Sequence, residues 1–346
     1  MSRGLRWALG LGAAALAVAV LRGRLPGGDE VLRAVAGLDA TWLTVAVAAE
    51  AMSMATFARL IRRLLAVGGT RVPLPRAVAL TYARTAVSNS LPAGPVLSIA
   101  YVTRQLGRLG AGKPLITATL VLSGVYSTAT FGVFGLVALL AEPATRTVVL
   151  VASVPVLAIG AALVRLRLPA LLGWVRRRSP ATFEQLRAAR EAIRPAGRDR
   201  VVLTTLALAN WALDIACLGA VCAAAGVEIG PQTILFGYVA AKLAAVLALV
   251  PGGLGVAEIG LGATFIAAGM SGGAAAAVVL LYRLISFWAV LVAGWFAWLL
   301  LLDGVRARLG VAGHRLGTVL LWITKAMEPC TYLYGYRDLP REISHP

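Results

Sequence analysis

The chain contains few of the residues from which metal and redox sites are built. It has three cysteines and two histidines among 346 residues. Cys217, Cys222 and Cys330 do not show metal-binding or redox spacing, and His314 and His345 are far apart near the C-terminus. The sequence therefore predicts no metal site and no cofactor.

Acidic residues are also scarce. The chain has 15 Asp and Glu against 33 Lys and Arg, which gives a formal net charge of +18 at pH 7. In a soluble protein this excess would indicate nucleic acid. Here the basic residues lie in short segments between apolar runs, which is the positive-inside pattern of membrane proteins. The expected partners are therefore membrane lipids, anionic or zwitterionic, and not nucleic acid.

The chain is instead rich in apolar residues. Hydrophobic residues make up 59% of it and aromatic residues 7%, and the mean hydropathy is +0.83. Several apolar runs exceed the roughly 18 residues that mark a membrane span. We predict an all-α, polytopic integral membrane protein with about six full spans and two re-entrant, broken helical hairpins in an inverted-repeat arrangement.

The predicted organisation has five segments. They are a first span with an outer connector (1–40), repeat 1 (41–165), a basic cytoplasmic loop (166–200), repeat 2 (201–303) and a basic cytoplasmic tail (304–346). The first span covers Trp7–Leu21. The same stretch also fits a signal peptide with a cleavage site at Ala17–Ala19, although a retained span is favoured. The arginine-rich loop is either a solvated loop or an amphipathic helix on the inner leaflet.

Two pairs of short apolar limbs flank Pro/Gly breaks, in hairpins 77–106 and 232–268. The first break contains Pro92 and Gly94, and the second contains Pro251, Gly252, Gly253 and Gly255. If both hairpins return to the side that they entered, the strongly basic loops and both termini lie in the cytoplasm. Three spans then separate the hairpins, so they enter the membrane from opposite sides, as in transporters with inverted repeats.

Ionisable residues of both signs fall near mid-depth of the predicted spans and hairpins. They are Glu50, Arg84, Asp214, Lys242, Glu258 and Arg283. Glu258 lies 11 residues before Gly269, and Arg283 lies 10 residues after Gly273. Each is therefore about 15 Å from this turn, at the midplane of a core about 30 Å thick, where the two charges can meet.

This charged set has two interpretations. The charges are neutralising pairs or snorkelling cations with a structural role, or they line a polar cavity for a ligand. In the cavity, the cations would hold a phosphate, and the acids would hold an amine, relay protons or orient the cations. We favour the cavity, because a bundle that only packs has no need of six buried charges.

The second break and its flanks carry a recognisable pattern. Pro251-Gly252-Gly253-Leu254-Gly255-Val256-Ala257-Glu258, followed by Gly269, Arg283 and Gly294, resembles the lysylphosphatidylglycerol synthase transmembrane (flippase-domain) family. The block 89–94, followed by Arg104 and Gly107, is similar to the family's first hairpin. Leu97, Ser98 and Ala100 stand where the family usually shows a glycine, an acid and an arginine. The resemblance covers most of residues 40–303.

The resemblance implies a role in moving lipids across the plasma membrane of a bacterium or archaeon. It implies that Glu258 and Arg283 are the charged pair of the motif, and it makes a homodimer plausible. Fused members of the family carry a soluble aminoacyl-transferase domain. Only 43 residues follow Asp303 here, so the chain is not expected to be the synthase itself.

Residues and resemblance together predict a flippase for a phosphate-bearing lipid: a phospholipid, an aminoacyl-phospholipid or a polyprenyl-phosphate-linked glycan. Arg84, Lys242 and Arg283 would bind the phosphate, with Arg104 as a further substrate-binding residue. One alternative is a membrane transferase or phosphatase acting on a lipid-linked sugar, although paired metal-ligating carboxylates are missing from the sequence. The other is a scaffold that binds lipid-synthesis enzymes through the 165–200 loop.

Overall fold

The computed structural model describes residues 37–91, 93–141, 173–247 and 253–301, together with a few short stretches between 146 and 170. The predicted first span, most of residues 142–172 and the C-terminal tail lie outside these residues. Pro92, Pro251 and Gly252 lie outside them as well. All regular secondary structure in the described part is helical, which confirms the all-α class.

The described helices include four that are long enough to cross a membrane. In chain order the helices are α1 (Ala40–Val67), α2 (Leu74–Ser90), α3 (Gly94–Arg108), α4 (Lys113–Ala141), α5 (Pro180–Ala192), α6 (Gly197–Ala224), α7 (Pro231–Leu247), α8 (Val256–Ala267) and α9 (Gly272–Leu300). Helices α1, α4, α6 and α9 have 28 or 29 residues and are strongly apolar. At 1.5 Å per residue they are about 42 Å long, more than the roughly 30 Å of a hydrocarbon core. The chain is a multi-pass membrane protein.

Helices α1 and α6 pack in antiparallel orientation. The backbone N–H of Asp39, just before α1, donates to the carbonyl of Ala224 at the end of α6, at 3.0 Å. Midway along, the Ser53 hydroxyl donates to the Asn210 carbonyl at 2.9 Å, and Asn210 Nδ2 donates to the Ser53 carbonyl at 3.0 Å. Asp39 also caps α1 by accepting a hydrogen bond from Thr41 N, which holds the pKa of this exposed carboxyl below its ordinary value. Hydrogen bonds of this kind hold helices together where lipid removes the hydrophobic driving force.

Helices α2 and α3 pack against each other on either side of the first break. Gly94 is buried at this turn, and a Cβ there would lie 2.1 Å from the carbonyl oxygen of Ser88. A side chain would therefore not fit. The helices begin at Leu74 and Gly94, slightly before the predicted limbs, because Pro75 and Pro95 are well suited to the first turn of a helix.

Helices α7 and α8 form a second such pair around the second break. They have 17 and 12 residues, fewer than the roughly 20 needed to span a bilayer. Gly253 has a φ of +63°, and a Cβ on it would lie 2.5 Å from the Cβ of Ala245. Paired short helices thus flank the breaks where the sequence predicted them. That each pair enters and leaves on one side of the membrane stays a prediction.

Helix α9 contacts both hairpins. Its first part lies against α8, and the part after the π-helical segment Leu284–Ala289 lies against α2. Gly294 permits the second contact, since a Cβ there would lie 2.4 Å from the carbonyl oxygen of Tyr82 and 2.6 Å from the Cβ of Ala86. Small residues allow membrane helices to approach this closely. Helix α9 therefore links the two halves of the described bundle.

Candidate functional site

Glu258 and Arg283 form an ion pair between α8 and α9. Glu258 lies in the first turn of α8, where unpaired backbone N–H groups favour a carboxylate. Its Oε2 accepts a hydrogen bond from the backbone N of Gly255 at 2.7 Å, and its Oε1 accepts one from Arg283 Nε at 2.5 Å. The Arg283 and Glu258 side chains are 14% and 20% exposed. The two charges predicted to meet are in contact, and their role in binding stays a prediction.

Asp214 on α6 is the acceptor of a second buried cluster. Its Oδ2 lies 2.9 Å from Lys242 Nζ and accepts the Tyr238 hydroxyl at 2.7 Å, while its Oδ1 accepts the Tyr282 hydroxyl at 2.7 Å. Lys242 Nζ also lies 5.1 Å from the ring centroid of Tyr238 and 6.0 Å from that of Trp211. Two hydroxyl donors and two aromatic rings therefore surround the Asp214–Lys242 pair and stabilise its charges.

One cavity is lined by both members of the Glu258–Arg283 pair and by Lys242 of the other pair. Its polar wall consists of Tyr238, Lys242, Glu258, Tyr282 and Arg283, and its apolar wall of Ala241, Ala245, Ala257, Leu261 and Val279. The cavity volume of about 30 Å³ is enough for one or two water molecules. A lipid headgroup is larger than this and does not fit into the cavity in this arrangement of the helices, which we call the closed form.

Glu50 belongs to the same charged region. It lies on α1, is only 7% exposed, and interacts electrostatically with both Asp214 and Lys242. Its Oε2 is buried and has no hydrogen-bond partner among the described residues. Five of the six ionisable residues predicted at mid-depth are therefore gathered around α6, α7, α8 and α9.

Arg84 and Arg104 are not part of this cluster. The Arg84 guanidinium carbon lies 6.0 Å from the ring centroid of Phe57, and its Nη1 is buried without a hydrogen-bond partner in the described chain. Phe57 comes seven residues after Glu50 on α1, a displacement of about 10 Å along the helix. Arg104 is exposed on α3. Neither arginine lines the cavity, and their role in substrate binding stays a prediction.

Comparison with known proteins identifies the family. Residues 7–294 match the family described as the lysylphosphatidylglycerol synthase TM region. The chain belongs to this family. It is also 32% identical over 93 residues to a UPF0104 membrane protein of Methanothermobacter thermautotrophicus, an alignment that covers 27% of this chain and 28% of that protein. The predicted family is confirmed, which assigns the chain broadly to membrane proteins with a lipid-related function.

The residues that carry the resemblance to this family now have structural explanations. Gly255 adopts a φ of +86° and donates its N–H to Glu258. Gly269 adopts a φ of +95° just after α8, a conformation that favours glycine. Arg283 is the partner of Glu258, and Gly294 is the close contact with α2. The family pattern therefore fixes the shape of α8 and its position against α9.

Tyr238 and Tyr282 are the site residues that sequence reasoning missed, together with Trp211. Tyrosines in apolar segments carry no charge, so a search for buried charges does not find them. A usable signal existed, because Tyr238 precedes Lys242 by four residues and such pairs share a helix face. Tyr282 directly precedes Arg283 in the chain, so the two ion pairs are linked through consecutive residues of α9.

Proposed function

We propose that the protein is a flippase that moves a phosphate-bearing lipid across the plasma membrane of a prokaryotic cell. The observation that carries the proposal is a cavity in an apolar helical bundle that is lined by the Glu258–Arg283 ion pair and by Lys242, the partner of Asp214. Fixed ions are unfavourable in hydrocarbon and typically mark the path of a polar substrate. The substrate is a phospholipid, an aminoacyl-phospholipid or a polyprenyl-phosphate-linked glycan.

The phosphate is the part of the lipid that this cavity suits best. Lys242 and Arg283 reach the same cavity from α7 and α9. Guanidinium and ammonium groups are the usual protein ligands of phosphate, and the planar guanidinium can donate two parallel hydrogen bonds. A phosphate that entered between Lys242 and Arg283 would be bound by both cations.

The acids hold these cations in place until the substrate arrives. In the closed form, Glu258 and Asp214 each accept from one of them. Headgroup entry then requires α8 to separate from α9, so that the phosphate replaces Glu258 as the partner of Arg283. Gly255 and Gly269, both with positive φ, lie directly at the two ends of α8. Such glycines tolerate the backbone rotation that this separation needs.

The proposed orientation has both termini in the cytoplasm. The basic segments 62–76 and 165–200 then lie on the cytoplasmic side, in agreement with the positive-inside rule. The two hairpins enter the membrane from opposite sides in this orientation, and their breaks approach each other near the midplane.

Lipid transport in liposomes tests the proposal. Purified protein is incorporated into phosphatidylcholine vesicles with a trace of fluorescent phosphatidylglycerol, and a membrane-impermeant quencher reports the accessible label. Wild-type vesicles are expected to exchange label faster than protein-free vesicles. Arg283→Ala and Glu258→Gln are expected to abolish the difference. Arg63→Ala is the matched control, because Arg63 and Asp199 form a pair with an N–O distance of 2.5 Å outside the cavity.

Two outcomes would contradict the proposal. Unchanged transport in both Arg283→Ala and Glu258→Gln would remove the proposed site. Turnover of a lipid-linked sugar in detergent, without any membrane to cross, would favour the membrane enzyme over the flippase.

A further inference from the structure

Glu50 and Asp214 bring two carboxyl groups together inside the bundle. They lie on the neighbouring helices α1 and α6 and are 7% and 9% exposed. Glu50 comes three residues before Ser53 and Asp214 four residues after Asn210, so the hydrogen bonds between Ser53 and Asn210 place the two carboxyl groups on facing turns of the antiparallel helices. Their surroundings differ sharply. Asp214 accepts from three donors, whereas Glu50 Oε2 has no partner in the described part of the chain.

This difference determines which carboxyl group carries a proton. Two neighbouring carboxyl groups in a buried site are strongly disfavoured from both being ionised. Asp214, with one ammonium and two hydroxyl donors, is held as the anion. An ionised Glu50 with an oxygen that lacks a donor would be strongly unfavourable.

Four helices, α2, α6, α7 and α9, contribute groups to this balance. The ionisable residues that interact with it are Asp214 and Cys217 on α6, Tyr238 and Lys242 on α7, Tyr82 on α2 and Tyr282 on α9. Lys242 is the cation among them, and it balances the single negative charge of the Glu50–Asp214 pair. With one proton on the pair, the whole group is neutral.

We propose that Glu50 and Asp214 form a proton-binding carboxyl pair that takes up one proton when Lys242 leaves Asp214 for an anionic headgroup. Before binding, Glu50 is protonated, Asp214 is ionised and Lys242 neutralises it. After binding, Lys242 neutralises the phosphate, and a proton from water protonates the carboxyl group that lost its cation. One proton enters for one negative charge, so no net charge is buried. This inference rests on the anion-binding step of the proposed function.

Proton uptake on lipid binding tests the inference without requiring transport. Phosphatidylglycerol is added to the purified protein in weakly buffered detergent solution with a pH-indicator dye. The wild type is expected to take up about one proton per bound lipid. Each single variant, Glu50→Gln or Asp214→Asn, keeps one carboxyl group and is expected to retain uptake at a shifted pH. The double variant is expected to lose it, with lipid binding still detectable.

Infrared difference spectra test the protonation of Glu50 directly. The spectrum of the wild type minus that of Glu50→Gln, recorded without lipid, is expected to contain the C=O band of a protonated carboxylic acid that shifts in D₂O. The absence of this band would overturn the inference. Binding of phosphatidylglycerol without proton uptake, or equal uptake by the double variant, would overturn it as well.

The outcomes also separate this inference from the proposed function. Transport that occurs without any proton uptake would be consistent with the flippase and would refute proton binding by the carboxyl pair. Proton uptake without transport in liposomes would refute the flippase and leave a proton-coupled lipid-binding site. Asp214→Asn replaces one acceptor oxygen of the hydrogen-bonded cluster, so its thermal midpoint is recorded to show that it folds. Glu50→Gln leaves the donors to Asp214 intact and serves as the second variant.

Discussion

Glu258 holds Arg283 with the same carboxylate that closes the first turn of α8. One oxygen accepts the Nε–H of Arg283 and the other accepts the backbone N–H of Gly255. The direction of the arginine on α9 is therefore tied to the start of α8. A change in either helix is therefore expected to alter the other.

Removing one partner of this ion pair should destabilise the protein more than removing both. Arg283→Ala is expected to lower the free energy of unfolding by about 3–5 kcal/mol, because it leaves a largely buried carboxylate without its cation. The double variant Glu258→Gln/Arg283→Ala should be less destabilised than the sum of its single changes. Unfolding of the purified variants in detergent measures this. Additive losses would show that the two side chains do not interact.

The hydroxyl groups around Asp214 allow a matched set of Tyr→Phe substitutions. Tyr238→Phe and Tyr282→Phe each remove one donor to a buried carboxylate and should lower the free energy of unfolding by about 1.5–3 kcal/mol. Tyr101→Phe is the control, because its hydroxyl is buried without a well-formed hydrogen bond. Its removal should leave stability unchanged or slightly raised. Equal effects at all three positions would contradict the hydrogen-bonded cluster.

Much of the fold could be predicted from the sequence because few backbone structures are stable in lipid. Backbone groups in hydrocarbon must be hydrogen-bonded internally, so long apolar runs can only be helices. Helix breaks also have local causes: Gly94 and Gly253 occupy positions that leave no room for a side chain. The positions of both broken pairs therefore followed from Pro and Gly alone.

The grouping of the charges could be predicted only in part. Depth along each helix follows from a fixed rise per residue, which was enough to match Glu258 with Arg283. The direction in which a side chain faces depends on how its helix packs, and the depth of the residue does not determine this direction. Arg84 has a suitable depth by count, yet it lies beside Phe57 and away from the cavity. The tyrosines around Asp214 were missed for a different reason, because a search for buried charges does not find them.

Gly294 should tolerate no side chain, because α9 meets α2 there. A Cβ would lie 2.4 Å from the carbonyl oxygen of Tyr82, so Gly294→Ala is expected to lower the free energy of unfolding by about 1–3 kcal/mol through overpacking. Gly132→Ala on α4 is the control, since nothing lies within 4 Å of its Cβ position and alanine favours the helix. Thermal unfolding in detergent compares them. Equal stability of the two variants would exclude the close contact.

Arg84 offers a way to distinguish a binding residue from a structural one. Its guanidinium is largely buried, with Nη1 lacking a hydrogen-bond partner in the described chain. Arg84→Met keeps the aliphatic length and removes this charge, so the thermal midpoint should rise. If Arg84 binds lipid phosphate, the same variant should transport lipid more slowly in liposomes. Arg104→Met, at an exposed position on α3, should change the midpoint little. A fall in the midpoint of Arg84→Met would show that the arginine stabilises the fold, and an unchanged transport rate would remove it from the binding site.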